Sequence, residues 1–208
     1  KESKSILDSS LDIGLSSTSR LHELFVNLIG VTPKEWKEKG KDVQITYGFG
    51  ETPFGEALIG FTDKGICYLG FIDDNKTEIF NRFNELWENA NLVHNEIAAN
   101  EYLENIFVKN KKYNLFVKGT NLQVNVWKAL LNLPNGIVAT YQDIANYLDK
   151  PKAVRAIASA IGRNHVGYLI PCHRVIAKSG AMSGYRWGIE RKKILIAYES
   201  VKENNQNQ

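Results

Sequence analysis

Val166-Gly167-Tyr168-Leu169-Ile170-Pro171-Cys172-His173-Arg174-Val175-Ile176 is an apolar run that passes through Pro-Cys-His-Arg and returns to an apolar pair. Two readings of Cys172 stand side by side. Most free cysteines are small buried hydrophobes. A thiol with cationic neighbours is instead a candidate nucleophile, because the thiolate is the attacking form and nearby positive charge lowers the thiol pKa. His173 and Arg174 directly beside it favour the second reading. Adjacent residues of an extended chain point to opposite faces. The imidazole therefore reaches the sulfur only if the backbone bends, and a bridging water is the natural route for the thiol proton. A carboxylate is then needed to orient and stabilise the imidazolium. Residues 120–200 offer four acids, Asp143, Asp149, Glu190 and Glu199. Glu199 follows Ile194, Leu195, Ala197 and Tyr198 near the end of an apolar helix, and spacing alone reads it as an ordinary surface acid.

Upstream of this run, Thr120-Asn121-Leu122-Gln123 has the form of a capping box opening a helix that runs to Leu133. Pro134-Asn135-Gly136 makes a turn, Ile137-Val138-Ala139 is a short apolar stretch, and Thr140 caps a helix over Tyr141–Leu148. Lys150-Pro151 breaks that helix, and Lys152–Gly162 forms the next. Two short helices around a Pro turn suggest a helix-turn-helix. The second is dominated by Ala153, Ala156, Ala158, Ser159 and Ala160. Small residues by default allow close helix packing. With Lys152, Arg155 and Arg163 interleaved they also suit a backbone that sinks into a DNA groove.

Further upstream the character changes. Val43–Phe49, Phe54–Phe61 and Ile66–Ile72 are rich in β-branched and aromatic residues, and Thr62-Asp63-Lys64-Gly65 reads as a hairpin turn. Amphipathic helices over Lys76–Asn89 and Glu96–Val108 follow, then a strand at Tyr113–Val117. This is a small α/β scaffold with no reactive cluster, and Cys67 reads as a packing residue. Residues 1–40 read as helices at Ser5–Ile13 and Ser17–Leu28, with Gly30 as a stop and Pro33 starting another short helix. The expected division is therefore 1–40, 41–119 and 120–208.

Bulk properties narrow the classes. Residues 41–119 carry 8 basic and 12 acidic side chains, whereas residues 120–200 carry 11 basic and 4 acidic, a difference between −4 and +7. That asymmetry is either a footprint for a polyanion or a clustering of solvated lysines. Two distant cysteines make no disulfide framework and fit a reducing cytoplasm. No Cys/His spacing suits zinc, so no metal is expected. No apolar run approaches the roughly 20 residues of a membrane span. The start, Lys1 to Ser5, has neither an initiator Met nor an apolar signal segment, as in a processed chain.

At Pro171-Cys172-His173-Arg174-Val175 the sequence resembles the 6-O-alkylguanine-DNA alkyltransferase family, closely over 120–200 and more weakly over 41–119. Residues 1–40 resemble the second half of an AraC-type DNA-binding domain, so the whole resembles the C-terminal portion of an Ada-type protein. The resemblance implies a small ribonuclease-H-like α/β domain, then a winged-helix-like helix-turn-helix domain. It implies irreversible, single-turnover transfer of an alkyl group from 6-O-alkylguanine, and from 4-O-methylthymine, in double-stranded DNA to Cys172. His173 matches the base, Glu199 the acid that holds it (against the surface reading above), and Asn164 the brace of the reactive turn. Tyr141 matches the tyrosine that donates to the extruded purine. Arg155 matches the arginine that fills the space left in the duplex, with Lys152, Ala153, Ala156 and Thr140 at the DNA. Val175, Tyr185, Arg186 and Ile161 are expected to line the base pocket. Two departures stand out. His165 replaces a frequent Pro and is expected to loosen the turn after Asn164. Arg186 replaces a residue that is small in some members and is expected to narrow the pocket. No cofactor is expected, and the partner is DNA bound by a monomer. The alternatives are a cysteine hydrolase using Cys172 and His173, which requires an oxyanion hole, and a transcription regulator with no repair role.

Overall fold

Strand-forming residues pair where both faces of a sheet can be covered. The computed structural model describes residues 28–30, 40–73, 75–182 and 184–206, and these fall into two units. The first holds residues 28–120 together with His165–Gly167. Its strands are β1 (Leu28–Gly30), β2 (Gln44–Gly50), β3 (Ala57–Thr62), β4 (Gly65–Phe71), β5 (Asn91–His94) and β6 (Leu115–Val117), in the order β1-β6-β4-β3-β2-β5. The strands β2, β3 and β4 form an antiparallel meander. The pairs β2–β5, β4–β6 and β1–β6 are parallel.

Helices α1 (Lys76–Leu86) and α2 (Glu96–Phe107) begin at Asn75 and Asn95, whose side chains accept backbone N–H groups of the first turn. All six residues of β3 are buried. A Cβ on Gly60 would meet the Phe83 ring of α1 at 2.9 Å, and one on Gly48 would meet Ala99 of α2 at 2.7 Å. The strands carry glycine where the helices press closest. Ile45, Leu58, Cys67, Tyr68, Phe83, Trp87 and Phe116 are buried in one cluster, and each such side chain contributes roughly 1.5–3 kcal/mol by leaving water. Cys67 is the packing residue expected of it, and burial pushes its thiol far up.

The hairpin turn falls at Asp63-Lys64, with the Lys64 N–H donating to Thr62 Oγ1 at 3.0 Å. Three features differ from the sequence reading. The second half of the Phe54–Phe61 strand is real, but its start is an irregular turn closed by Thr52 and Gly55. The helix expected over Lys76–Asn89 stops at Leu86, where Trp87 turns inward. Leu28, read as the last residue of a helix, is the first of a strand in register with Leu115. The sheet edge satisfies its backbone better than a frayed helix end does. Gly30, read as a helix stop, is the last residue of this strand and pairs with Val117. The other expectations for residues 1–27 and 31–39, including the AraC-type segment, lie outside the described residues.

His165–Gly167 adds a short parallel bridge to this sheet. Leu69 N–H donates to His165 O at 3.0 Å and Gly167 N–H to Leu69 O at 2.7 Å. The loosening expected at His165 is not what the backbone does, since these two ladder bonds pin it.

The second unit holds residues 121–164 and 168–206. It comprises α3 (Asn121–Leu131), β7 (Ala139–Thr140), α4 (Tyr141–Tyr147), α5 (Val154–Gly162), a 3-10 turn at Cys172–Arg174, β8 (Val175–Ile176) and α6 (Ile189–Gln206). Val126, Leu130, Ile144, Ile157 and Ile161 are buried, and Trp127 Nε1 donates to Ala160 O at 3.0 Å. The small residues of α5 thus have a packing role at Ala160. Thr140 is the expected cap. Its Oγ1 accepts from Asp143 N–H at 3.1 Å, and Asp143 Oδ2 accepts from Thr140 N–H at 2.8 Å. The helix expected from Lys152 begins two residues later, at Val154, because Pro151 and Lys152 remain in the turn. The parallel pair β7–β8 aligns Ala139 with Val175 and Thr140 with Ile176.

Candidate active site

Cys172 opens the 3-10 turn, so the backbone bends where an extended chain would have thrown His173 to the opposite side. The bend is held at both ends. Cys172 N–H donates to Ile170 O at 2.7 Å and Arg174 N–H to Pro171 O at 3.1 Å. Asn164, at the end of α5, is 1% exposed and spans the turn. Its Nδ2 donates to Ile170 O and to Cys172 Sγ, both at 3.1 Å. Upstream, Tyr168 sits at φ 62°, a left-handed conformation uncommon for a tyrosine. Its ring lies nearly parallel to the His173 ring, with centroids 6.3 Å apart.

His173 is fully buried. Its Nε2 is 2.9 Å from Glu199 Oε1, and its Nδ1 is buried with no hydrogen-bond partner from the protein. Burial depresses the imidazole pKa below 6.5, against the pull of Glu199. Burial alone would raise the Glu199 carboxyl, but hydrogen bonds from His173 and Arg174 and their charges bring it down to about 2. The lowered pKa favours a neutral imidazole, and with Nε2–H turned to the Glu199 carboxylate Nδ1 is left as an acceptor. Glu199 is buried rather than the surface acid its spacing suggested.

The thiol departs from the expectation of a lowered pKa. Burial pushes the Cys172 thiol up. The Asn164 hydrogen bond, Lys192, the backbone and Arg186 pull the other way. Arg174, read as a thiol activator, is turned to Glu199. The charge the sequence did not point to is Lys192, which is fully buried and donates from Nζ to Val175 O at 2.6 Å. Its position three residues into an amphipathic-looking helix gave no signal of this.

The remaining expected residues separate into two groups. Near the sulfur are Tyr141 and Tyr185. Burial raises the phenol pKa of each, and the Cys172 sulfur adds to it. The Tyr185 hydroxyl is buried without a hydrogen-bond partner, and its ring meets His173 edge-on at 6.4 Å. A Cβ on Gly184 would lie 3.5 Å from the Tyr141 hydroxyl. Val175 and Ile161 are buried in the same unit. In the turn before α5 Lys152 is exposed and Ala153 half-buried, and on α5 itself Arg155 and Ala156 are exposed. The Arg186 side chain is exposed and reaches back to α5, with Nε donating to Gly162 O at 3.2 Å. Among the described residues no group of three or more His, Cys, Asp or Glu side chains could hold a metal ion. None of their helices is long and apolar enough to cross a membrane.

The chain that carries this site is similar to known proteins over most of its length. Residues 121–201 match a family model described as 6-O-methylguanine DNA methyltransferase, DNA binding domain. The chain belongs to the methylated-DNA–protein-cysteine methyltransferase family. It is 37% identical over 147 residues to the inducible methylated-DNA–protein-cysteine methyltransferase of Bacillus subtilis, covering 68% of this chain and 82% of that one. It is 30% identical over 206 residues to the bifunctional transcriptional activator/DNA repair enzyme Ada of Escherichia coli, covering 96% of this chain. The chain spans 58% of that protein's length. Among solved structures, Mycobacterium tuberculosis OGT in complex with DNA aligns with a TM-score of 0.61 at 28% identity, covering 76% of this chain and 94% of that one.

Proposed function

We propose that this protein repairs DNA by direct reversal, taking the alkyl group of 6-O-alkylguanine, and of 4-O-methylthymine, irreversibly onto Cys172. The observation that carries the reading is the buried pairing of His173 Nε2 with Glu199 Oε1 at 2.9 Å, which leaves Nδ1 without a partner on the bent Cys172–Arg174 turn. The thiol proton passes to Nδ1 through a water. Glu199 stabilises the imidazolium that results. The thiolate attacks the alkyl carbon in line, a C–S bond forms, the C–O bond breaks, and its electron pair leaves on the guanine oxygen. Tyr141 protonates the departing base and regains a proton from solvent, to which His173 gives up the one it took from the thiol. The thioether has no easy reversal, so each molecule reacts once, and none of these steps calls for a cofactor.

The reactive carbon is inside a stacked duplex, so the base must be extruded. In this reading α4, the turn at Pro151 and α5 form a helix-turn-helix within a winged-helix-like unit, and the sheet unit is a ribonuclease-H-like scaffold. The exposed residues Lys152, Arg155 and Ala156 face DNA, with Ala153 and Thr140 beside them, and Arg155 fills the gap left by the base. Val175, Ile161, Tyr185 and the Arg186 backbone N–H line the pocket. The similarity to Ada over 96% of the chain supports an AraC-type origin for residues 1–40.

The test is the intact mass of the protein after incubation with a duplex containing one 6-O-methylguanine. One methyl-sized increase per chain is expected, and none in Cys172→Ala. A folded wild-type protein that gains no mass, or one that turns over repeatedly without an adduct, overturns the proposal.

A further inference from the structure

The Arg174 side chain makes four hydrogen bonds that the alkyl transfer proposed above does not use. Nε donates to Glu199 Oε2 at 2.8 Å and Nη2 to Glu199 Oε1 at 2.9 Å, a two-pronged grip on the carboxylate. Nη1 donates to Leu133 O at 2.6 Å, beyond the end of α3, and Nη2 also reaches Asn135 Oδ1. Arg174 is 5% exposed. Glu199 Oε1 is therefore shared between Arg174 and His173 Nε2.

We propose that Arg174 is a positioning residue: by clamping both oxygens of Glu199 it fixes the His173 tautomer and holds the imidazole neutral, so that Nδ1 can take the thiol proton. The argument rests on the alkyl-transfer reading for its chemistry but on geometry for its placement. A carboxylate free to rotate would offer either oxygen to His173 and would itself be a stronger partner for a proton. With both oxygens tied to a fixed guanidinium, only one direction remains for Nε2–H. The fork also places a permanent positive charge on the far side of the carboxylate, which disfavours a second positive charge on the ring. The groups facing His173 are Glu199 and Lys192 from α6, Arg174 from its own turn, and the rings of Tyr168 and Tyr185. Of these, Arg174 and Lys192 oppose imidazolium formation and Glu199 favours it.

The experiment has two readouts on Arg174→Gln and Arg174→Lys. The first is the single-turnover rate of methyl transfer from a 6-O-methylguanine duplex across pH 5.5–9 (roughly the range over which a histidine base changes state). Arg174→Gln is expected to move the acid limb to higher pH, with a rate deficit of tenfold or more at pH 6 that shrinks by pH 8.5. Arg174→Lys, which keeps the charge without the fork, is expected to retain the wild-type limb with a lowered plateau. The second readout is the NMR titration of His173 in Cys172→Ser protein, which needs no reaction. There, Arg174→Gln should raise the imidazole pKa. An unshifted limb and an unshifted His173 titration in folded Arg174→Gln overturn the proposal, as does an Arg174→Lys profile that shifts like Gln. If Arg174→Gln fails to fold, Arg174→Lys decides alone: a wild-type limb with a lowered plateau supports the proposal, and an unchanged plateau or a shifted limb overturns it. If wild-type protein transfers no methyl group while the titration shifts as expected, the repair reading fails and the positioning role stands.

Discussion

Each residue at the centre of the site has a charge state set by its burial and by one or two partners. Glu199 has the clearest consequence. Its carboxyl is held near pH 2 in the folded protein against an ordinary value of 4.5. The unfolded chain therefore binds more protons between those values, and the stability this pair contributes is present above about pH 4.5 and lost as pH falls toward 2. The shift corresponds to roughly 3 kcal/mol as an upper figure. His173 acts in the same direction, since its lowered pKa means the unfolded chain takes up a proton first as pH drops through 6.5. Acid denaturation followed by circular dichroism is expected to show wild-type stability declining from about pH 6.5 downward, and Glu199→Gln is expected to flatten the part below pH 4.5. A mutant curve parallel to wild type there would contradict the assigned proton affinity. Adjacency marks Cys172 and His173 as a candidate pair, and the structure places both on one bent turn. Glu199 came only through family likeness, because a carboxylate 26 positions away on a helix carries no local mark. Lys192 and the true direction of Arg174 were not legible, because nothing local tells a lysine or arginine which backbone carbonyl or carboxylate it will meet.

At the scale of elements, the reactive unit depends on where α4 begins. The Thr140–Asp143 capping box fixes that start and with it Tyr141, the first residue of the helix. Thr140→Ala is expected to cost about 1 kcal/mol of stability. It should also slow methyl transfer more than it weakens DNA binding, because Tyr141 loses its fixed origin while the exposed face of α5 is untouched. Denaturant unfolding and single-turnover rates measured together test this, and a stability loss with an unchanged rate would separate the cap from the chemistry. Elements with strong periodicity or clear punctuation were read correctly in kind, among them the β3–β4 hairpin, α4 and the break at Lys150-Pro151. Strand β5 was missed because Asn91–His94 is short and mostly exposed, with no apolar alternation. Strand β1 was missed because a helical leucine spacing up to Leu28 hid a parallel pairing with residues almost ninety positions on, which no local pattern reveals.

For the whole molecule, the charge contrast between residues 41–119 and 120–200 was equally consistent with chance and with a polyanion partner. Part of that excess is exposed in the structure: Lys152 in the turn before α5, Arg155 on α5 and Arg163 just past its end. If these side chains meet phosphates, binding to an undamaged duplex should weaken linearly on a log–log plot against salt, with a slope near −0.9 per phosphate neutralised. Lys152→Ala is expected to reduce the magnitude of that slope by about one while leaving sequence preference flat. Fluorescence anisotropy at several salt concentrations measures it, and a salt-independent affinity would leave these basic residues as solvated surface.

The clamp on Glu199 has a consequence for engineering. The acceptors of one guanidinium lie beyond α3, in the Pro134 turn and far along α6, and the imidazole depends on the same carboxylate. On the proposed chemistry, the five-residue motif around Cys172 is not a self-sufficient cassette: grafted onto a foreign scaffold, it would carry the thiol and the imidazole with nothing to decide which nitrogen holds the proton. What must be transplanted is the whole circuit of residues from 133 to 199.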